Sequence, residues 1–133
     1  MWLYKNKQIT SLQDLPSEVV GFVYLIINKE TAEWYVGKKN IYSQRTLPPL
    51  KGERRKRKVT KQTNWVQYQS SNESVKEWIS PYKEILVYCY TKKQLTYEEM
   101  KAILCLQGLE DQKCMNSNVL GKFFKDEFKN LAN

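Results

Sequence analysis

The feature that most constrains the fold is an apolar run from Gly21 to Asn28 that a second run follows closely. The segment GFVYLIIN has apolar residues at both odd and even positions, and it is rich in β-branched and aromatic residues. This pattern is typical of a strand buried on both faces. A short polar connection at residues 29–32 leads to the second run, EWYVG, at residues 33–37. Two strands so close in sequence predict an antiparallel hairpin.

The rest of the chain adds one further strand and several helices. The predicted elements are a strand at 84–90, helices at 72–79, 96–109 and 119–131, and an edge hairpin within the N-terminal extension, residues 1–20. A length of 133 residues corresponds to roughly one domain, so we expect a single unit over 1–133. The expected class is α+β, with a small central antiparallel sheet of about three strands, plus the N-terminal hairpin, flanked by helices.

Positive charge is concentrated in one basic insertion, residues 51–61, which follows the breaker Pro48-Pro49 and is predicted to be a loop. The chain has 22 Lys and Arg against 14 Asp and Glu, a net charge of +8. The insertion contains seven cations and a single acid, Glu53, which gives it a net charge of +6. Its cations are Lys51, Arg54, Arg55, Lys56, Arg57, Lys58 and Lys61. Such a run favours a polyanion, with nucleic acid first, an acidic membrane surface behind it, and a targeting signal as the competing interpretation.

Several classes of protein are excluded by composition. The chain has no histidine, which removes Ser-His-Asp and Cys-His catalysis and mixed Cys/His zinc sites. Its three cysteines form no C-x-x-C pair, so we expect buried thiols in a reducing compartment. The longest apolar run, 19–27, is too short to span a bilayer. We therefore expect a cytoplasmic protein with no membrane partner, and the sequence leaves its oligomeric state open.

Glu99 is the acid whose position is most informative. On a helical wheel it falls on the same side as the apolar residues Ala102, Ile103, Leu106 and Leu109. Two interpretations follow. Thr96 and Glu99 have the spacing of a capping box, which by itself would account for the carboxylate. Alternatively, an inward carboxylate in a basic protein suits a divalent cation such as Mg²⁺.

The predicted hairpin contains a second group of candidates. Strand parity and loop length let Tyr24 and Tyr35 lie on one face, where they act either as packed aromatic residues or as site phenols. Gly37 either ends its strand or allows a close approach of backbone or phosphate. Arg45 is either a surface arginine or a phosphate ligand, because a guanidinium binds two phosphate oxygens at once.

These residues together resemble the GIY-YIG nuclease superfamily. Tyr24 and the segment Tyr35-Val36-Gly37 are similar to its two tyrosine motifs on the first two strands of a small α/β domain. Arg45 lies ten residues after Tyr35, where the family has its helix arginine, and Lys38 is at a position often occupied by lysine. The segment from Glu99 to Ile103 resembles the metal-binding glutamate segment, and Asn116 the late asparagine.

The long basic insertion, with Trp65, Tyr68 and Ser70-Ser71 after it, most resembles the compact phage proteins of the Seg homing-endonuclease type. The first motif differs in reading Phe22-Val23-Tyr24, with its glycine displaced to Gly21, and the second has valine for isoleucine. Neither difference removes a reactive group.

The resemblance implies a phage-encoded DNA endonuclease that depends on one Mg²⁺ or Mn²⁺ ion. Glu99 would bind the metal, and Arg45 would supply a second positive charge at the scissile phosphate. Tyr24 would act as general base or position the attacking water, with its pKa lowered by Lys38 and the metal. Tyr35 would orient the water or the phosphate. Gly37 and Asn116 would support the site. The alternative is a non-catalytic nucleic-acid-binding module.

Overall fold

A computed structural model describes residues 1–128 and contains a central five-stranded sheet in the order β2-β1-β7-β3-β4. Its strands are β1 (Trp2–Tyr4), β2 (Lys7–Ile9), β3 (Gly21–Ile27), β4 (Trp34–Asn40) and β7 (Tyr82–Cys89). Two small ribbons pair β5 (Tyr42–Leu47) with β6 (Arg57–Gln62), and β8 (Asn118–Val119) with β9 (Phe123–Phe124). The helices are α1 (Glu73–Lys76), α2 (Lys92–Cys105) and α3 (Lys125–Phe128).

The predicted hairpin of β3 and β4 forms the centre of the fold. The two strands pair in antiparallel register from Gly21 opposite Asn40 to Ile27 opposite Trp34, and β7 pairs with the other edge of β3. The α+β class and the N-terminal hairpin are therefore confirmed. The sheet is larger than the predicted three strands, and it is mixed rather than antiparallel, because β1 adds to β7 in parallel.

Side chains on the two faces of β3 pack into different cores, which explains why the strand is apolar throughout. On one face Phe22, Tyr24 and Ile26 contact a core that includes Trp2 and Trp65. The Trp2 indole donates a 2.7 Å hydrogen bond to the Trp65 carbonyl and so links the N-terminal hairpin to the segment after β6. The other face of the sheet packs against α2.

Helix α2 begins and ends earlier than predicted. Its N-cap is Thr91, whose hydroxyl accepts a 3.0 Å hydrogen bond from the Gln94 amide. The helix closes after Cys105, where Gln107 takes a positive φ of 56° and the Gly108 amide bonds to the Ile103 carbonyl, as in a Schellman motif. Leu106, predicted to face the core, lies beyond the helix and is exposed.

Three other predictions for local structure were wrong. The helix predicted at 72–79 is only the single turn α1, which Asn72 caps. The helix predicted at 119–131 is replaced by β8, β9 and α3, because Leu120 and Gly121 both adopt positive φ; its last residues, 129–131, lie outside the described part. The basic insertion, predicted as a loop, continues into β6 from residue 57. Within residues 1–128 no helix has the length and apolar content needed to cross a membrane.

Candidate active site

A cavity of about 420 Å³ lies at the edge of the sheet that β4 leaves without a neighbouring strand. Four of the predicted site residues line it, namely Tyr35, Lys38, Glu99 and Asn116. They come from different elements: two from β4, one from α2 and one from the segment before β8. Since alternate residues of a strand point to opposite faces, β4 contributes Tyr35 from one face and Lys38 from the other. The cavity thus lies where both faces of the sheet meet its edge.

Tyr24 and Tyr35 lie on the same face of the hairpin, as strand parity predicts, with ring centroids 6.3 Å apart. Tyr24 is paired with Gly37 in the register, and its ring lies across that glycine. A Cβ at position 37 would overlap the Tyr24 hydroxyl and come within 3.0 Å of Cε1 of Tyr35. Glycine is therefore required at position 37 by the close approach of the two tyrosine rings.

The two phenols differ in their access to the cavity. Tyr35 is part of the lining, whereas Tyr24 is only 1% exposed and lies behind it. Burial raises the pKa of Tyr24 far above its ordinary value, and the neighbouring Tyr35 and Tyr68 raise it further. Burial also raises the pKa of Tyr35, although the hydroxyls of Ser71 and Ser70 oppose the shift. Both phenols are therefore protonated at neutral pH in the protein alone.

Glu99 points into the cavity from the middle of α2. Within residues 1–128 its carboxylate has neither a hydrogen-bond donor nor a salt-bridge partner from another side chain. Burial raises its pKa above the ordinary value, and the nearby Lys38 lowers it in part. Thr96 lies inside the helix instead of at its start, and its hydroxyl contacts the Lys92 carbonyl. The capping interpretation of Glu99 was therefore wrong.

Lys38 and Asn116 hold the edge of β4 to its surroundings. The Lys38 ammonium donates a 2.9 Å hydrogen bond to the Thr96 hydroxyl, one turn before Glu99 on α2. The buried Asn116 carboxamide bonds to both backbone polar groups of Val36, through Nδ2 to the carbonyl at 2.7 Å and through Oδ1 to the amide at 2.9 Å. Asn116 therefore fixes the backbone between Tyr35 and Gly37.

Arg45 is not brought into this cavity. The resemblance predicted a helix position, but Arg45 lies on β5, opposite Val59, with its side chain exposed. The chain enters β5 soon after β4 and forms the ribbon with β6 where a helix was expected. The seven cations of the basic insertion are also exposed, and three of them, Arg57, Lys58 and Lys61, lie on β6.

Two lining residues that the sequence did not single out as site residues come from the segment before α1. Ser71 and Asn72 both line the cavity, and neighbouring Ser70 is buried with a positive φ of 79°. Asn72 accepts hydrogen bonds from the amides of Ser74 and Val75, which is the N-cap arrangement. An asparagine before a helix pattern signals a cap but does not indicate which cavity the cap adjoins.

The chain matches one family model over residues 2–122, described as "Putative endonuclease segE, GIY-YIG domain". It matches no curated protein and no solved structure. The matched range includes both tyrosine motifs, the basic insertion and every residue that lines the cavity.

The chain belongs to the GIY-YIG endonuclease family, in the branch that the segE model represents. It is accordingly a nuclease with a nucleic-acid substrate, from a family whose members generally depend on a divalent metal ion.

Proposed function

We propose that this protein is a divalent-metal-dependent endonuclease that hydrolyses phosphodiester bonds in duplex DNA. The observation that carries this proposal is the Glu99 carboxylate, which no side chain of residues 1–128 pairs, in one cavity with Tyr35 and Lys38. A half-buried carboxylate without a partner is costly unless a cation or a proton compensates it. A metal ion bound to Glu99 would compensate the carboxylate charge and would also act on a phosphodiester in the cavity.

The residues present suit a hard cation held by one protein carboxylate. Within the described chain no cluster of three or more acidic or cysteine side chains forms a closed metal cage. Mg²⁺ commonly binds through one or two carboxylates and completes its octahedron with waters and substrate phosphate oxygens. Glu99 would hold the ion, either Mg²⁺ or Mn²⁺. When bound, the ion supplies a Lewis acid for a phosphate oxygen and offsets the Glu99 charge that contributes to the raised pKa of Tyr35.

The other residues of the site have separable tasks. Tyr35, the phenol that reaches the cavity, orients the attacking water. It would take the proton of that water only as a phenolate, which requires its raised pKa to fall when the metal and DNA are bound. Lys38 places a positive charge beside the phosphate and is held by the Thr96 hydroxyl. Tyr24 remains protonated and fixes the position of Tyr35 from behind, with Gly37 admitting its ring. Asn116 fixes the backbone that carries Tyr35.

The ribbon of β5 and β6 is the proposed contact with the DNA duplex. Cross-strand register places Arg45, Arg57 and Lys61 on one face of the ribbon, together with Ser43, Leu47 and Val59. All of the residues of β6 are exposed, and so are all of β5 except Leu47. The major groove of B-DNA admits a two-stranded ribbon, and arginine and lysine bind its phosphates. In this proposal Arg45 binds DNA from the ribbon.

Incubation of supercoiled plasmid with the purified protein tests the proposal. We expect nicked or linear product in Mg²⁺ or Mn²⁺ and none after addition of excess EDTA. Binding to the same DNA should persist in EDTA, because the ribbon and its cations need no metal. Retention of the plasmid on the protein without any cleavage in either metal would instead support the non-catalytic binding module.

A further inference from the structure

A second groove begins at the active-site cavity and contains three lysines. It has a volume of about 450 Å³, and Lys38, Lys39, Lys92, Tyr42 and Tyr68 are among the residues that line it. We propose that this lysine groove binds the phosphate backbone of the DNA strand next to the scissile phosphate. The inference rests on the proposed function, because it takes the nuclease substrate to be DNA and assigns part of its path.

The charge of the groove is the first argument. No acidic side chain lines it, and the salt bridges in the described residues, Lys76 with Glu73 and Lys101 with Glu98, involve none of its three lysines. Three ammonium groups around one groove repel one another unless an anion lies between them. A phosphate backbone supplies anions in a row, which a single small anion does not.

Lys39 is held in position before any ligand arrives. Its ammonium lies 3.9 Å from the centroid of the Tyr68 ring, and the Tyr68 ring packs edge-on against Tyr24 at 6.1 Å. A cation over an aromatic face is attracted by the ring and loses part of its rotamer freedom. Burial lowers the pKa of Lys39, so its charge is only partly hydrated and would gain from an anion.

Continuity with the neighbouring sites is the third argument. Lys38 lines both the active-site cavity and the lysine groove. Tyr42 and Gln44, at the start of the ribbon strand β5, also line the groove. In this proposal one phosphate of a DNA strand lies beside Glu99, and the duplex contacts the ribbon. The DNA strand between these two contacts then passes through the lysine groove. The groove thus connects the site of cleavage with the site of DNA contact.

Two neighbouring lysines on α2 provide a matched test. Lys92 and Lys93 are both exposed on the same helix turn, but Lys92 lines the groove and Lys93 does not. Lys92→Ser and Lys93→Ser remove the same charge from the same helix end. Because a cation is unfavourable at a helix N-terminus, neither change should weaken the fold. Lys39→Gln is a third variant, on a different element.

The measurement is binding to a fluorescent 30-base-pair duplex in EDTA across a series of salt concentrations. Each lost phosphate contact should lower the slope of log affinity against log salt by about 0.9. We expect that loss for Lys92→Ser and for Lys39→Gln, and no loss for Lys93→Ser. An unchanged slope for Lys92→Ser, or equal losses for Lys92→Ser and Lys93→Ser, would overturn the proposal.

The outcome is separable from that of the nuclease proposal. If the wild-type protein never cleaves, but Lys92→Ser lowers the salt slope and Lys93→Ser does not, the nuclease proposal fails and the lysine groove stands as a contact with the DNA backbone. If the wild-type protein cleaves and the two variants have the same slope, the nuclease proposal stands and the lysine groove is wrong.

Discussion

Asn116 occupies the place of a neighbouring strand beside Val36, because its carboxamide bonds to both the amide and the carbonyl of that residue. The backbone on either side extends this pairing, since the Trp34 amide bonds to the Lys113 carbonyl and the Met115 amide to the Trp34 carbonyl. The open edge of β4 is thereby closed at the point where it carries Tyr35. We therefore expect the position of Tyr35 to depend on this edge contact.

Asn116→Ala should lower the free energy of unfolding by about 2–4 kcal/mol, because it leaves two buried backbone groups of Val36 without partners. Urea denaturation measures the change. Asn28→Ala is the matched control, since the Asn28 side chain accepts one exposed hydrogen bond from Glu30, and it should cost about 1 kcal/mol or less. Equal decreases in the free energy of unfolding of the two variants would mean that the Asn116 side chain does not stabilise the edge of β4 more than an exposed hydrogen bond does.

Tyr35→Phe should lower the cleavage rate at saturating DNA by about 10² to 10⁴, the usual range for loss of an acid-base group. Tyr24→Phe should have a smaller effect, because its hydroxyl is buried behind Tyr35 and remains protonated. Both changes preserve the ring and its packing. Single-turnover kinetics on a plasmid substrate measure the two rates. A larger loss for Tyr24→Phe than for Tyr35→Phe would return the general-base role to Tyr24.

Much of the fold could be predicted from local patterns. The continuous apolar run of β3 and the short polar connection to β4 determine a buried hairpin without reference to the rest of the chain. The parallel pairing of β1 with β7 could not be predicted, because it joins residues about 80 positions apart through the burial of Trp2. The end of α2 was misplaced for a different, local reason, since Gln107 and not a glycine adopts the positive φ that closes the helix.

The candidate site was predictable in its residue types and less so in their placement. The sequence alone predicts that Glu99 lies on the inner side of a helix. It also predicts that Tyr24 and Tyr35 lie on the same face of the hairpin, because alternate residues of a strand share a face. Whether a phenol reaches solvent depends on what covers it. Tyr24 is covered by Trp2, Tyr68 and Tyr35, which come from three other parts of the chain. The helix position expected for Arg45 was wrong, because β5 pairs with β6 and places Arg45 in a ribbon.

The basic insertion should govern affinity and not chemistry. Replacement of Arg54, Arg55, Lys56 and Arg57 by Ser should lower the slope of log affinity against log salt by as much as about three to four units, because phosphate contacts set that slope. Cleavage at saturating protein and low salt should survive, since the cavity residues remain. Fluorescence anisotropy with a labelled duplex measures the slope.

Arg45→Ala provides a check on the same ribbon. It should lower the slope by about 0.9 with little change in rate at saturation. An unchanged slope in the fourfold variant would mean that the insertion does not contact DNA. A large loss of rate with unchanged affinity in Arg45→Ala would mean that Arg45 acts at the scissile phosphate.

Lys83 should make the stability of the protein depend on alkaline pH. It is buried on β7, with its ammonium 4.2 Å from the Trp2 ring centroid, and burial lowers its pKa to about 8. The unfolded chain holds this proton up to about pH 10.4, so stability should rise between about pH 8 and pH 10 as the folded protein releases it.

Lys83→Met should therefore melt at a higher temperature than the wild type at pH 7, and the difference should shrink by pH 10. Lys93→Met, an exposed lysine, controls for loss of one charge. Thermal melting followed by circular dichroism supplies the comparison. A difference that stays constant over this pH range would show that the Lys83 charge is not destabilising in the folded state.

The central claim is that Glu99 is the metal-binding acid of a nuclease, and Glu99→Gln removes its charge with little change in shape. Glu98→Gln is the matched control, because Glu98 forms a salt bridge with Lys101 and does not line the cavity. In EDTA at pH 7 the Glu99→Gln protein should melt no lower than the wild type, since burial disfavours the carboxylate charge.

The most direct measurement is Mg²⁺-dependent plasmid cleavage by the wild type, Glu99→Gln and Glu98→Gln, with DNA affinity measured on the same preparations. The account predicts that Glu99→Gln binds DNA as the wild type does and does not cleave it, while Glu98→Gln retains both activities. Cleavage by Glu99→Gln at the wild-type rate would contradict the account.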